Sequence, residues 1–385
     1  METIKVGIIG TGFSANFHME ALRRVPGVEI LAVAGSTMDK ALVLAEQYRI
    51  PYAYETYHAL LSNQELDVIH NCTPNYLHFE INRAVILAGK DLLSEKPLAM
   101  NSSESGELVS LAEQMGTIHG VCFNYRHFPM VMQAHTMLMS RQNGKCHLVT
   151  GGYLQDWLLF DTDYSWRLEP ELNGPSRAIA DIGSHWCDTM QFVLGKKIVE
   201  VFADLKTIHP IRKKPSNNMS TYAKGLNDVF EEVDVSTEDC GSVLVHFEDD
   251  ISGVFTVSQV SAGRKNKLHF EISSADSTLY WDQENPNTLW EGRRNEPNKE
   301  WYRDPALLSP QAAALAHLPG GHQEGWPDGL KNLFLDFYNE IKRKRRSQTI
   351  EGERNFATLA DGHHNMKIVD AILMSSQQKE WIRVC

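Results

Sequence analysis

Ile4-Lys5-Val6-Gly7-Ile8-Ile9-Gly10-Thr11-Gly12-Phe13-Ser14-Ala15 lies at the head of the chain, and its reading decides the fold. The run from Ile4 to Ile9 has the apolar density of a buried strand. It breaks into Gly-x-Gly-x-x-Ala, and a helical pattern follows. In such a turn the first glycine permits the tight bend and the second lets backbone approach a pyrophosphate. The small third residue lets helix pack on strand. Amides at the helix start then face the phosphates. The same residues could form a plain glycine turn; their position between a first strand and a first helix favours dinucleotide binding.

The pattern extends outward from there. Segments 4–9, 29–34, 68–72, 91–94 and 118–122 read as short buried strands. Segments 17–24, 39–48, 76–88 and 104–114 read as helices between them. Alternation at this spacing predicts a doubly wound parallel sheet of Rossmann type over residues 1–123. After Asn124 the texture changes. Segments 149–157, 199–207, 242–247, 253–260, 268–273 and 278–281 alternate apolar and polar residues, mostly with turns rather than helices between them. That predicts a C-terminal α+β domain, 124–385, built on a large and mostly antiparallel sheet. A helix over 176–194 interrupts it, and helices over 328–345 and 355–375 close the chain and can return to the first domain. Residues 208–238 read as a long polar surface loop. The fold class expected is therefore α/β with two domains.

Composition narrows the partners. The chain has 385 residues, 42% hydrophobic and 22% charged, with a net charge of −12. An acidic surface argues against nucleic acid and anionic membranes. No stretch of about 18 apolar residues exists to span a bilayer. The six cysteines include no Cys-x-x-Cys pair, and they read as reduced thiols in a cytoplasmic protein.

The dinucleotide reading asks for a ribose selector after the second strand. Ala34-Gly35-Ser36-Thr37 carries no acid there, and Asp39 falls on the helix. Gly35 and Ser36 leave room for a 2′-phosphate and Lys40 can neutralise one, with Thr37 a further candidate contact, but no arginine stands there; the cofactor is NAD or NADP with a slight lean toward NADP. Further along, Glu95-Lys96-Pro97 follows a buried strand, where a nicotinamide laid across the sheet would end. Asp181 and His185 stand four apart on a helix and share a face. The apolar neighbours Ile179, Ile182, Trp186 and Met190 imply burial, which demands partners or a function for both.

Four motifs in order now carry a resemblance: the glycine turn, Cys72-Thr73-Pro74-Asn75-Tyr76-Leu77-His78, Glu95-Lys96-Pro97, and Asp181-Ile182-Gly183-Ser184-His185. The chain resembles the glucose-fructose oxidoreductase / inositol dehydrogenase / rhizopine catabolism (Gfo/Idh/MocA) family over nearly its whole length. The resemblance implies cofactor contacts from Gly10, Gly12, Phe13, Ser14, Thr73, Pro74, Asn75, His78, Glu95, Lys96 and Asn124. It implies a reacting site of Lys96, Asp181 and His185, and a Lys96-Pro97 bond that is often cis in relatives. It also implies pairing of subunits through the open face of the antiparallel sheet, as a homodimer or homotetramer.

A matching chemistry is oxidation of a secondary hydroxyl. His185 takes the hydroxyl proton because an imidazole titrates near neutrality. Lys96 stabilises the developing alkoxide, and Asp181 orients substrate or lysine. Arg126, Trp166, Arg167 and His322 are further candidates for binding a polyhydroxylated ring such as a sugar, inositol or anhydrosugar. Two other functions fit the fold: a redox-neutral glycoside hydrolase that holds NAD, and a non-catalytic cofactor or sugar sensor. The run Lys342, Arg343, Lys344, Arg345, Arg346 reads as a solvated helix end favoured by the dipole. His363-His364 and His185-x-Cys187 do not make a metal set, and no Gly-x-Ser-x-Gly elbow is present.

Overall fold

The computed structural model describes residues 3–140, 143–215, 230–346 and 354–385. The chain divides into two compact units, one of residues 1–127 and 326–366, the other of residues 128–325 and 367–385. The first unit thus runs past residue 123 and includes a late segment of the chain.

In the first unit, strands β1 (Ile4–Ile9), β2 (Val28–Ala34), β3 (Tyr52–Tyr54), β4 (Val68–Asn71), β5 (Asp91–Ser94) and β6 (His119–Val121) alternate with helices. These are α1 (Phe13–Leu22), α2 (Met38–Tyr48), α3 (Tyr57–Leu61), α4 (His78–Leu87) and α5 (Ser102–Met115). All six strands pair in parallel, in the order β3-β2-β1-β4-β5-β6. The alternation along β1 explains the double winding. Ile4, Val6 and Ile8 join Met19 and Leu22 of α1 in one core. Ile9 joins Ile81, Val85 and Leu108 of α4 and α5 in the other. The strand order reverses between β1 and β4, the place where ligands bind in such sheets. The short β3 and α3 carried too few residues to show a period.

The second unit opens with α6 (Pro129–Met139) and β7 (Cys146–Leu154). Helix α7 (Pro170–Asn173) leads to a π-helical turn, Ile179–Gly183, and then α8 (Ser184–Leu194). Strands β8 (Ile198–Lys206), β9 (Ile211–Pro215), β10 (Phe230–Asp234), β11 (Cys240–Phe247), β12 (Ile251–Ser258), β13 (Lys267–Ser274), β14 (Thr278–Asp282), β15 (Thr288–Gly292) and β16 (Lys299–Tyr302) follow. Helix α9 (Pro310–Ala313) comes next, and β17 (Ile382–Arg383) lies near the end. Nine described strands form one sheet, β16-β15-β14-β13-β7-β12-β11-β8-β17. Every pairing in it is antiparallel except β7 with β12. The expected loop over 208–238 is in part a β9–β10 ladder; residues 216–229 of that loop lie outside the described residues. Buried Arg212 anchors the ladder by donating to the carbonyls of Leu158, Phe160 and Asp163.

The inward face of the sheet carries Phe255, Val257, Phe270 and Trp281, all buried. Helix α8 lies on it, with Trp186 stacked on Phe255 at 4.4 Å. A Cβ on Gly151 of β7 would stand 2.7 Å from Trp186 Nε1 and 2.3 Å from the His269 carbonyl, so only glycine lets the helix sit this close.

The chain then forms α10 (Trp326–Arg345) and α11 (Leu359–Gln378). Leu330, Leu333, Phe334, Phe337, Tyr338 and Ile341 of α10 enter the first unit's core beside Ile4, Val6 and Ile8. The basic helix end expected to be solvated does more. Lys342 donates to the Pro26 carbonyl and Lys344 to that of Gly116, while Arg345 pairs with Asp67 at 2.6 Å. These loops precede β2, β6 and β4, so the cations hold the sheet edge where strands begin.

Candidate functional site

The expected cofactor residues collect on the opposite edge of the first unit's sheet, where strands end. Gly10, Gly12, Phe13 and Ser14 follow β1. Ser36, Thr37 and Lys40 follow β2. Thr73, Pro74, Asn75 and His78 follow β4, Glu95 and Lys96 follow β5, and Asn124 follows β6.

Gly10 has φ of +114°, and a Cβ there would meet the Cys72 carbonyl at 2.5 Å. The turn after β1 and the turn after β4 therefore touch backbone to backbone. Gly12 differs: nothing lies within 4 Å of where its Cβ would be. It caps α1 with no side-chain acceptor, and the first turn of that helix carries no acid. Open backbone at a helix N-terminus is what a pyrophosphate requires, so these residues fit a dinucleotide. Phe13 is exposed, its ring edge-on to Phe17 at 4.6 Å. After β2, Thr37 caps α2 by accepting from the Lys40 amide, and Lys40 Nζ reaches Ser36 Oγ at 3.2 Å.

The turns after β4 and β5 are tied by buried amides that the sequence reading missed. Asn71 Oδ1 accepts from the Thr73 hydroxyl at 2.7 Å, and its Nδ2 donates to Asn82. Asn82 in turn donates to Ser94 Oγ at 2.9 Å. His78 bridges the same turns, with ring nitrogens 2.6 Å from the Pro97 carbonyl and 2.8 Å from that of Thr73. Burial pushes the His78 pKa down, while the two carbonyls and Glu95 oppose that. An asparagine inside each of two apolar segments, Val68–Asn71 and His78–Leu87, was the available signal. A buried amide has to find partners.

The Lys96-Pro97 bond is cis. Glu95 Oε2 accepts from the Lys96 amide at 3.1 Å, and Glu95 Oε1 lies 3.1 Å from His18 Nε2. Burial would raise the Glu95 carboxyl; the bond from His18 and the Lys96 charge outweigh it and hold it at about 2. Asn124 and Arg126 are buried in a 3-10 turn, Asn124–His127, and Arg126 stands 3.9 Å from Asp361.

In the second unit, Asp181 lies in the π-helical turn and His185 in the first turn of α8. The helix expected over 176–194 is present from 178 to 194, with the π turn inside it. A π turn winds about 4.4 residues rather than 3.6, yet a spacing of four still keeps both side chains near one face. The helix start is fixed from elsewhere. Buried Glu238 accepts from the amides of Arg177 and Ile179 at 2.9 Å and from the Ser176 hydroxyl at 2.7 Å. Burial raises its carboxyl, and these donors oppose the rise.

Asp181 receives Gln259 Nε2 at 2.9 Å, and Arg167 Nε stands 3.8 Å from its other oxygen. Arg177 donates to Gln259 Oε1 at 3.0 Å, which fixes the amide so that its NH2 must face Asp181. Arg177 and Arg212 both pair with Asp239, and all three are fully buried. Burial pushes the Asp239 carboxyl up, and the two guanidinium groups bring it below the usual range. Gln259 sits one residue past β12, where no local pattern marks it. Trp166 and Arg167 join this group, the guanidinium lying over the indole at 4.6 Å. Tyr153 lies 6.2 Å from the His185 ring, and its hydroxyl reaches Asn266. His322 is exposed in the turn after Pro319, its carbonyl accepting from Arg303.

A separate open cavity of about 450 Å³ is lined by Glu271, Tyr280, Asp282, Thr288, Trp290 and Glu300. Alternation along β13 and β14 puts it on the outward face of the sheet, the face opposite α8. Among the described residues, no helix is long and apolar enough to cross a membrane. The six cysteines form no disulfide, and Cys72, Cys122 and Cys187 are buried.

Residues 4–123 match the family description "Oxidoreductase family, NAD-binding Rossmann fold", and residues 131–280 match "GFO/IDH/MocA C-terminal domain". Levoglucosan dehydrogenase of Pseudarthrobacter phenanthrenivorans is 26% identical over 100% of this chain and 99% of its own. The crystal structure of an oxidoreductase domain protein from Kribbella flavida superposes with a TM-score of 0.89 at 26% identity, covering 100% of both chains. A levoglucosan dehydrogenase in complex with NADH and levoglucosan shares the fold, with a TM-score of 0.87 at 24% identity over 100% of both chains. With its glycine turn, its two units and matches to both domains, the chain belongs to the GFO/IDH/MocA family of oxidoreductases.

Proposed function

We propose that the protein is an NAD(P)-dependent dehydrogenase that oxidises a secondary hydroxyl of a sugar, inositol or anhydrosugar, or reduces the matching ketone. The observation that carries this is the set around Asp181. A carboxylate is oriented by Gln259 and Arg167 and stands four residues from a buried histidine. An indole and a guanidinium stack beside it. Aromatic faces suit the C–H surface of a pyranose, and fixed polar groups suit its hydroxyls.

A bound nicotinamide dinucleotide supplies the hydride acceptor. The chain's own residues handle the proton and the charge. His185 takes the hydroxyl proton at a ring nitrogen and returns it in the reverse direction. Lys96 donates a hydrogen bond to the oxygen as it becomes an alkoxide. Asp181 accepts from a neighbouring hydroxyl and so fixes which carbon reacts. Trp166, Arg167, Arg126 and His322 are the further substrate contacts proposed.

After β2 no carboxylate bars a 2′-phosphate, and Ser36 and Lys40 would meet one. The cofactor proposed is therefore NAD or NADP, with a slight lean toward NADP. The test is absorbance at 340 nm with each cofactor against a panel of inositols, hexoses and anhydrosugars. Reduction with one substrate class establishes the dehydrogenase and its cofactor together. Cofactor binding without reduction across the panel overturns it, and glycoside cleavage then separates a redox-neutral hydrolase from a sensor.

A further inference from the structure

A file of buried polar side chains runs through the first unit and ends on Glu95. Tyr338 Oη lies 2.8 Å from His70 Nε2, His70 Nδ1 lies 2.8 Å from His18 Nδ1, and His18 Nε2 lies 3.1 Å from Glu95 Oε1. Tyr338, His70 and His18 are all fully buried. Three elements distant in sequence supply them: α10, β4 and α1.

Proton counting gives the file a direction. An ionised carboxylate only accepts, so His18 carries its proton on Nε2. Where His18 holds no second proton its Nδ1 accepts, which requires the proton of His70 on Nδ1. His70 Nε2 in turn accepts from the Tyr338 hydroxyl. In this arrangement every donor in the file has an acceptor, and the only charge is on Glu95. The reverse arrangement needs an imidazolium at His18 or a protonated Glu95. Burial pushes the His70 pKa well below its ordinary value, which agrees with a neutral ring.

The remaining groups around Glu95 fit the same direction. The thiols of Cys72 and Cys122 are pushed far above the usual range by burial and by the Glu95 charge, so they stay protonated. Cys122 Sγ lies 3.6 Å from His18 Nε2. His78 and Lys96 are the other ionisable groups that feel the carboxylate.

We propose that Tyr338, His70 and His18 are positioning residues that hold the Glu95 carboxylate ionised and fixed, so that its second oxygen grips the Lys96 amide and aims the lysine. This rests on the role proposed above for Lys96. A rival use of the same atoms is a metal shell. The ligand atoms of His18, Glu95 and Cys122 lie within 4.8 Å of one another. A metal there needs a bare His18 Nε2 and a thiolate, and it reverses the file so that His70 carries its proton on Nε2.

The test has two arms on the full-length protein. Histidine-labelled protein is examined by long-range ¹H–¹⁵N NMR, which reports tautomers whether or not any substrate is known. The expected result is His70 protonated on Nδ1 and His18 on Nε2, with no stoichiometric metal in the purified protein. A His70 proton on Nε2, or one metal per chain, overturns the proposal. In the second arm, His18→Leu is expected to lower kcat by about tenfold or more while cofactor Kd and substrate KM stay within about twofold. His18→Gln, whose amide can donate to Glu95, is expected to recover most of the loss. Full activity in His18→Leu, or equal loss in both variants, sinks it. Turnover that survives Lys96→Ala would instead sink the role of Lys96, and the tautomer result would stand apart from it.

Discussion

Gly10 and Gly12 answer to different constraints. A side chain at Gly10 collides with the Cys72 backbone, and its φ disfavours every residue but glycine. Gly10→Ala is therefore expected to destabilise the apoprotein by about 1–3 kcal/mol, read as a lower urea midpoint. Gly12→Ala meets open space, so its urea midpoint should hold while cofactor Kd weakens by about tenfold or more, equivalent to about 1.4 kcal/mol; equal cofactor affinity in isothermal titration would refute the pyrophosphate reading. The residues proposed to react separate in the same way. Lys96→Ala should abolish turnover and leave cofactor affinity within a few-fold. His185→Ala should cost roughly 10²–10⁴ in rate, the usual contribution of a general base, and should remove one limb of the pH–rate profile. An unchanged profile would take His185 out of that role.

At the scale of elements, the π-helical turn and its braces matter most. Gln259→Leu removes the donor to Asp181 and leaves Arg177 facing an apolar group. The expected result is a rise in substrate KM with cofactor affinity unchanged, because Gln259 belongs to the second unit and the dinucleotide fits the first. Steady-state kinetics with cofactor saturating checks it. What was legible in sequence follows the range of the cause. Strand β1, the glycine turn and the inward alternation of Val243, Val245 and Phe247 announce themselves locally through period and composition. The i,i+4 spacing of Asp181 and His185 was readable for the same reason. Gln259, His18, His70 and Tyr338 were not, since each takes its meaning from a partner at least 50 residues away. The π turn was hidden as well, because the Glu238 carboxylate that holds the amides at its start arrives from the far end of the β10–β11 connection.

Across the whole molecule, pH should act through histidines buried in neutral form. Burial, helped by the charges of Lys344 and Arg354, holds His119 down at about 4; His70 and His269 are shifted the same way. Between about 4 and about 6.5 the unfolded chain binds more protons than the folded one. Stability therefore falls as pH drops through that window, by up to about 1.4 kcal/mol per pH unit for each such histidine. His119→Gln should make the slope of urea midpoint against pH shallower; an identical slope would remove His119 from the account. The pairing of subunits through the sheet's outward face is a proposal at this scale, and Leu244→Asp on that face is expected to shift sedimentation toward a monomer. The division of the chain has one more consequence, and it concerns synthesis. Phe334, Phe337 and Tyr338 are fully enclosed in a core whose first strand begins at Ile4. At about 5–20 residues per second, the ribosome needs roughly 10–40 s to make the intervening second unit. For that interval the nascent nucleotide-binding sheet waits with part of one apolar side, the part beyond α1 and α2, uncovered, a natural station for a chaperone, and a message truncated before α10 should yield protein that never leaves it.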